Sequence, residues 1–195
     1  MEKTISKTVQ LFDKKFSTYI HAAEIESAVL TIARKINADM EGKNPLFVCV
    51  LNGVFLFAAD LLRKIDTSCE ISFVKVSSYE GTASSGVVTT RIGLNEEIKG
   101  RTIVLVEDII DSGNTIEKLL EILKQQQPAE IKIATLLYKP AAFKKNFKID
   151  YIGMEIPNDF VVGYGLDYNG LGRNLPEIYK INPSSTLPTG EGENP

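Results

Sequence analysis

The chain has 195 residues, 44% of them hydrophobic, and a net charge of −3 at neutral pH. That length suits one domain with at most a small appended lobe, and the apolar share is enough for a sizeable core. The acidic balance argues weakly against a nucleic-acid partner, and no stretch reaches the ~18–20 apolar residues of a membrane span. The N-terminal MEKTISKTVQ has no apolar signal core, so a soluble, cytoplasmic protein is expected. Of the two cysteines, Cys49 lies in an apolar run as a small core residue and Cys69 precedes a strand. Neither has a C-x-x-C spacing, so neither a zinc site nor a disulfide framework is expected. His21 is the only histidine and there is no G-x-S-x-G elbow, which leaves acid–base chemistry to carboxylates or lysine.

Residues 8–20 carry Val9, Leu11, Phe12, Phe16, Tyr19 and Ile20 in loose alternation and read as an extended arm or edge strand. From His21 to Met40 the positions Ile25, Val29, Ile32, Ile36 and Met40 form one helical stripe, ended by Gly42 and Pro45. Leu46–Leu51 is a short buried strand that runs through Asn52-Gly53, good turn chemistry in itself, into a helix over Val54–Ile65. Glu70–Tyr79 is a strand with Ile71 and Phe73 inward and Val74 and Val76 as further inward candidates. After it, 80–86 (EGTASSG) reads as a mobile hairpin loop before a strand over Val87–Leu94.

The centre of the chain is IVLVEDIIDSGNTI, from Ile103 to Ile116. Its apolar first half looks like a strand buried on both faces, the kind that occupies the middle of a parallel sheet. The run stops on Glu107 and Asp108. A short loop, Asp111-Ser112-Gly113-Asn114-Thr115, then opens a helix carrying Ile116, Leu119, Leu120 and Leu123 and ending near Gln127 before Pro128. Asp or Ser at such a place is most often only a helix cap. Capping leaves Glu107 and Asp108 unexplained, because adjacent carboxylates at the end of an apolar strand repel and lose solvation unless a cation or hydroxyls meet them. Backbone N–H groups at a helix start favour an anion, and ligands of open α/β sheets bind beyond the strands' C-terminal ends. Together these features suggest a sugar phosphate with a divalent metal. There is no G-x-x-x-x-G-K-[ST] for nucleotide hydrolysis and no G-x-G-x-x-G for a dinucleotide.

Glu130–Tyr138 follows as a strand ended by Lys139-Pro140, then a basic turn over Lys144–Lys148 and a strand over Tyr151–Ile156. Next comes DFVVGYGLDY, Asp159 to Tyr168, with Arg173 shortly after. From Pro183 onward the Pro, Ser, Thr, Gly and Glu content reads as a flexible tail.

VLVEDIIDSGNT closely resembles the phosphoribosyl pyrophosphate (PRPP) signature of the type I phosphoribosyltransferases, and more narrowly that of the hypoxanthine (hypoxanthine–guanine) phosphoribosyltransferases; the resemblance runs from about Leu46 to about Ile181. It implies an α/β fold: a central, mostly parallel twisted sheet flanked by helices, a small hood lobe built from the chain ends, and a flexible lid loop. Residues 1–182 would form the domain, with the hood from the N-terminal arm and about 155–182, and 183–195 the tail. It implies a purine salvage enzyme that moves the 5-phosphoribosyl group of PRPP to N9 of hypoxanthine or guanine, giving IMP or GMP and pyrophosphate, with Mg²⁺ as cofactor. By resemblance, Asp111 is the acid–base group at purine N7, and Asp111, Ser112, Gly113, Asn114 and Thr115 grip the 5′-phosphate. Glu107 and Asp108 hold the ribose hydroxyls directly or through a metal, with Asp167 as a further metal ligand. Lys139 reaches the purine 6-oxo group, Phe160 stacks on the base, and Val161 and Asp167 complete its pocket. Asn52, Gly53 and Arg173 meet the pyrophosphate, and in the family the loop that this turn resembles often does so through an unusual cis peptide. Many relatives carry Lys or Arg where this chain has Asn52, so binding there would rest on backbone N–H groups. Ser78 and Tyr79 belong to the lid, which would exclude water as a competing nucleophile. Relatives form dimers or tetramers, so a homodimer or homotetramer is expected, with neither nucleic acid nor membrane as partner. The rival readings are a PRPP-sensing regulatory protein on the same fold and a xanthine-preferring transferase.

Overall fold

The computed structural model describes residues 7–77 and 89–183. In chain order the elements are β1 (Thr8–Leu11), β2 (Lys14–Ile20), α1 (Ala22–Met40), β3 (Leu46–Val50), α2 (Phe55–Leu62), β4 (Glu70–Ser77), β5 (Thr89–Ile92), β6 (Thr102–Ile110), α3 (Asn114–Gln125), β7 (Glu130–Tyr138), β8 (Tyr151–Glu155), β9 (Val161–Val162) and β10 (Ile178–Ile181).

The most apolar run of the chain takes the most enclosed place. β6 lies between β3 and β7 in a six-stranded sheet of order β5-β4-β3-β6-β7-β8, in which all neighbours are parallel except the antiparallel edge pair β4–β5. Ile103, Val104, Leu105 and Val106 are fully buried because both faces of the sheet are covered. On one face the α1 stripe (Ile25, Val29, Ile32, Ile36, Met40) joins Phe57 and Leu61 of α2 over Phe47, Cys49, Val104 and Val106. On the other, Ile116, Leu119, Leu120 and Leu123 of α3 pack over Leu46, Val48, Ile103 and Leu105. Burial pushes the Cys49 thiol up to about 12, so it acts as a small apolar filler.

The chain ends meet in a second, antiparallel sheet of order β1-β2-β10-β9, the expected hood. Its small core is Phe16, Val162 and Tyr179. The hood is tied to the start of α1 through Glu177, whose carboxylate lies 3.0 Å from His21 Nδ1 and accepts from the Thr18 hydroxyl at 3.3 Å.

Several expectations need correction. Residues 8–20 are a hairpin rather than one extended arm, turning at Phe12, whose φ is +49°. Among the described side chains of β4 the inward apolar residue is Val74, while Ile71 and Phe73 are 42% and 37% exposed; the side chain of Val76 lies outside the described residues. Successive strand residues face opposite sides, and only the Val74 side meets the α3-side core with Ile98. The strand over Val87–Leu94 is shorter, Thr89–Ile92 among the described residues, and α2 and α3 stop at Leu62 and Gln125. The central strand does not stop at its acids but continues to Ile110, because β7 is equally long and Ile109 and Ile110 pair with Leu137 and Tyr138. The lid residues Ser78 and Tyr79, the 80–86 loop and the tail beyond 183 lie outside the described residues. Among the described residues no helix is long and apolar enough to cross a membrane.

Gly153 on β8 tests the packing of α1 on the sheet edge. A Cβ there would lie 2.6 Å from the Leu136 carbonyl oxygen and 3.2 Å from Ile32 Cδ1. Gly153→Ala should therefore lower stability by about 1–3 kcal/mol, read as a lower urea midpoint with an unchanged m-value.

Candidate functional site

The site is built where β6 leaves the core. Glu107 and Asp108 are each only 9% exposed. The alternation of the strand slips by one residue across them: Ile103 and Leu105 pack toward α3, yet Ile109 packs with the α1–α2 side and Ile110 with the α3 side. Burial, and then the neighbouring Asp108 carboxylate, push Glu107 well above the usual carboxylate range. Burial raises Asp108 too, against the pull of the Ile109 N–H, which donates to Asp108 Oδ1 at 2.8 Å. Glu107 Oε2 is buried with no hydrogen-bond partner among the described residues. A buried acceptor of this kind is costly in the free protein and suits a hydroxyl or a hydrated cation. Among the described residues no three His, Cys, Asp or Glu side chains cluster as a closed metal cage. Mg²⁺ does not require one, since it keeps several waters and takes one or two carboxylates plus substrate phosphates.

The loop after β6 is a cradle rather than a capped helix start. The N-cap of α3 is Gly113, at φ +82°, and no side chain caps the helix. A Cβ on Gly113 would lie 2.8 Å from Phe143 Cε2 and 2.9 Å from Lys145 Cγ, so the loop packs tightly on the segment after β7. Asp111, Ser112, Gly113, Asn114 and Thr115 line a concavity of about 90 Å³ that also reaches Glu107.

A second concavity, about 240 Å³, opens beside the first and brings together Asp108, Asp111, Lys139, Phe160, Val161, Asp167 and Arg173. Asp111 borders both. Lys139 is buried and its Nζ donates to Asp111 Oδ2 at 3.0 Å. Its backbone N–H donates to the Ile110 carbonyl, which fixes the end of β7 beside the end of β6. Phe160 is 46% exposed at the rim, its ring tilted against Phe16 and edge-on to Tyr168. An aromatic held by two others yet open on one face is poorly explained as core and well explained as a platform for a planar ring. Asp167 is satisfied from two sides, by Arg173 Nη2 at 2.7 Å and by the Gly170 N–H at 2.7 Å.

The turn after β3 closes the site from beneath. Leu51–Asn52 is a cis peptide. A Cβ on Gly53 would lie 1.6 Å from Asp108 Oδ2 and 3.4 Å from Arg173 Nη1, so only glycine lets the turn approach these groups. Asn52 lines neither concavity; its Oδ1 accepts from Lys75 Nζ at 3.2 Å. Sequence reading missed three participants. Gly165, at φ +100°, would set a Cβ 1.9 Å from the Gly53 carbonyl oxygen, and Arg173 Nη1 donates to the Gly165 carbonyl at 2.6 Å. Leu166 lines the larger concavity and Lys75 reaches the turn. The G-Y-G spacing before Asp167 is the visible sign of the first; Leu166 lies in the same DFVVGYGLDY segment with nothing polar to mark it, and Lys75 lies on no motif. A more voluminous hollow, about 530 Å³ between α1 and α2, contains none of the predicted site residues.

A doubly covered parallel sheet whose acidic central strand opens into a concave loop at a helix start points to a phosphoribosyl transferase. Residues 17–169 match the family model described as phosphoribosyl transferase domain, and the chain belongs to that family. It is 46% identical over 156 residues to the hypoxanthine-guanine phosphoribosyltransferase of Streptococcus pneumoniae (strain ATCC BAA-255 / R6), covering 80% of this chain and 87% of that one. It is 45% identical over 161 residues to the bifunctional protein TilS/HprT of Listeria innocua; the match covers 82% of this chain but only a quarter of the length of that relative. A crystal structure of a hypoxanthine-guanine phosphoribosyltransferase from Bacillus anthracis superposes with a TM-score of 0.79 at 37% identity, covering 85% of this chain and 96% of that one. The resemblance read from VLVEDIIDSGNT is borne out, and so is the fold expected from it.

The unpartnered carboxylate gives a test independent of activity. A carboxyl whose folded-state pKa is raised weakens the fold increasingly as pH rises from its unfolded value toward its folded one. Glu107→Gln removes that penalty, so the ligand-free variant should melt higher at neutral pH than the parent, by on the order of 1 kcal/mol of stability, and the gain should vanish in acid. Calorimetry across pH measures it.

Proposed function

We propose that the protein transfers the 5-phosphoribosyl group of PRPP to N9 of hypoxanthine or guanine, yielding IMP or GMP and pyrophosphate. The observation that carries this reading is the Lys139–Asp111 pair on the wall of the larger concavity, a donor and an acceptor 3.0 Å apart. A 6-oxopurine carries O6 and N7 side by side on one edge. With a proton on N7 it offers an acceptor and a donor in the order this pair can meet. Lysine has donors only, so the 6-amino group of adenine would face it donor to donor.

In the reaction the C1′–oxygen bond to pyrophosphate breaks with its electron pair leaving on pyrophosphate, and N9 forms the new bond to C1′. The proton lost by the purine passes to the Asp111 carboxylate at N7. Ser112, Gly113, Asn114 and Thr115 hold the 5′-phosphate, and their place on the same loop as Asp111 fixes C1′ relative to the base. Phe160 stacks on the purine and the Val161 backbone reads its far edge. Arg173, with Gly53 and Asn52, receives the pyrophosphate, for which a planar guanidinium is well suited. Glu107 and Asp108 take the ribose 2′- and 3′-hydroxyls. Glu107, Asp108 and Asp167 are also the residues that would hold Mg²⁺, which when bound neutralises charge on the leaving group. The half-exposed Phe55, Ile71 and Phe73 on α2 and β4 support a homodimer or homotetramer, and a cytoplasmic location belongs to the same proposal.

PRPP- and Mg²⁺-dependent conversion of hypoxanthine, guanine, xanthine and adenine, with pyrophosphate release measured, tests the reading. Turnover should be found with hypoxanthine or guanine and be weakest with adenine; no product from any oxopurine would refute it. Asp111→Asn should lower kcat by ~10²-fold or more at saturating substrates, and a variant within twofold of the parent would remove Asp111 from its role. Lys139→Ala should raise KM for the base while leaving that for PRPP nearly unchanged.

A further inference from the structure

The walls of the proposed site carry more negative than positive charge. Glu107, Asp108, Asp111 and Asp167 face it, against Lys139 and Arg173, and each of those cations is already engaged, with Asp111 at 3.0 Å and Asp167 at 2.7 Å. A polyanionic leaving group would enter a region short of free cations, and the Asn52-Gly53 turn that should meet it is neutral.

The neighbouring strand supplies what the turn lacks. β4 runs beside β3, with Val50 paired to Val74 and the Leu51 N–H donating to the Val74 carbonyl at 2.8 Å. That register sets Lys75 alongside the turn, and its Nζ donates to Asn52 Oδ1 at 3.2 Å. Lys75 is half-buried and has no carboxylate partner among the described residues. An ammonium only donates, so the amide atom facing it must be the oxygen. The Asn52 NH₂ is thereby turned away from Lys75, and its donors meet no acceptor among the described residues.

We infer that Lys75 is a positioning residue for the pyrophosphate side of the reaction. It fixes the Asn52 amide with its N–H donors toward the leaving group and places a positive charge beside the turn. Charge and donor are thus split here between two elements: the charge on β4, the donor on the turn. The inference rests on the transferase reading above, and it concerns the leaving group alone, not the base.

The test measures pyrophosphate affinity with Mg²⁺ present, KM for PRPP and for hypoxanthine, and melting temperature. The variants are Lys75→Met, Asn52→Leu, and Lys75→Met combined with Asn52→Lys. Lys75→Met and Asn52→Leu should each weaken pyrophosphate and raise KM for PRPP by about tenfold, the scale of one charge-assisted hydrogen bond, with KM for hypoxanthine within twofold. Returning the charge to the turn with Asn52→Lys should restore pyrophosphate binding in the Lys75→Met background. Pyrophosphate affinity within twofold of the parent in both single variants would overturn the inference. So would equal loss of both ligands, or a fall in melting temperature without rescue, since either marks a structural lysine. A parent protein that binds pyrophosphate through Lys75 but makes no nucleotide would instead refute the transferase reading and leave the Lys75 contact standing.

Discussion

Two adjacent carboxylates on the innermost strand, almost wholly removed from water and incompletely hydrogen-bonded, set the terms for the rest of this structure. Left alone they weaken the fold, because burial opposes the ionisation of both and the Asp108 charge further opposes that of Glu107. They are tolerable because the strand beneath them is packed on both faces by three helices, giving the sheet stability to spare. Such local conflict on a well-packed scaffold is how a binding site is stored in a fold: the groups are held ready, and a ligand supplies what the protein withholds.

The remaining parts of the site are arranged around those acids by close backbone approaches. Gly53 sits against the Asp108 carboxylate, and Gly165 sits against the Gly53 carbonyl. Arg173 holds the Gly165 carbonyl and Asp167 together. Core sheet, turn and hood therefore meet through glycines at which a side chain would collide. One segment, Phe160 to Arg173, delivers an exposed aromatic, an acid and a guanidinium to the same hollow. The hood is also attached through Glu177 to His21, a contact that carries no site residue.

Much of this was legible in the sequence, and the reason is the density of local signals. A β-branched run ending in paired acids admits few structural explanations, and the Asp111–Thr115 loop stands where the N-terminus of α3 must be. The stripe Ile25, Val29, Ile32, Ile36 and Met40 is unambiguous because every turn repeats it. What failed was information that resides in neighbours. Alternation in β4 does not say which face has cover, so it points Ile71 and Phe73 inward when the opposite face is packed. The extension of β6 through its acids depends on the length of β7, and the role of Gly165 depends on a turn more than a hundred residues earlier in the chain. Asn52 read as a missing charge; only the β3–β4 register reveals Lys75 next to it.

The most direct measurement is a crystal structure with a purine nucleoside monophosphate bound. Its 5′-phosphate should lie in the cradle of Asp111 to Thr115, its ribose hydroxyls at Glu107 and Asp108, and its base between Phe160 and the Lys139–Asp111 pair. A nucleotide seated instead in the larger hollow between α1 and α2, with the cradle empty, would contradict the assignment of the site.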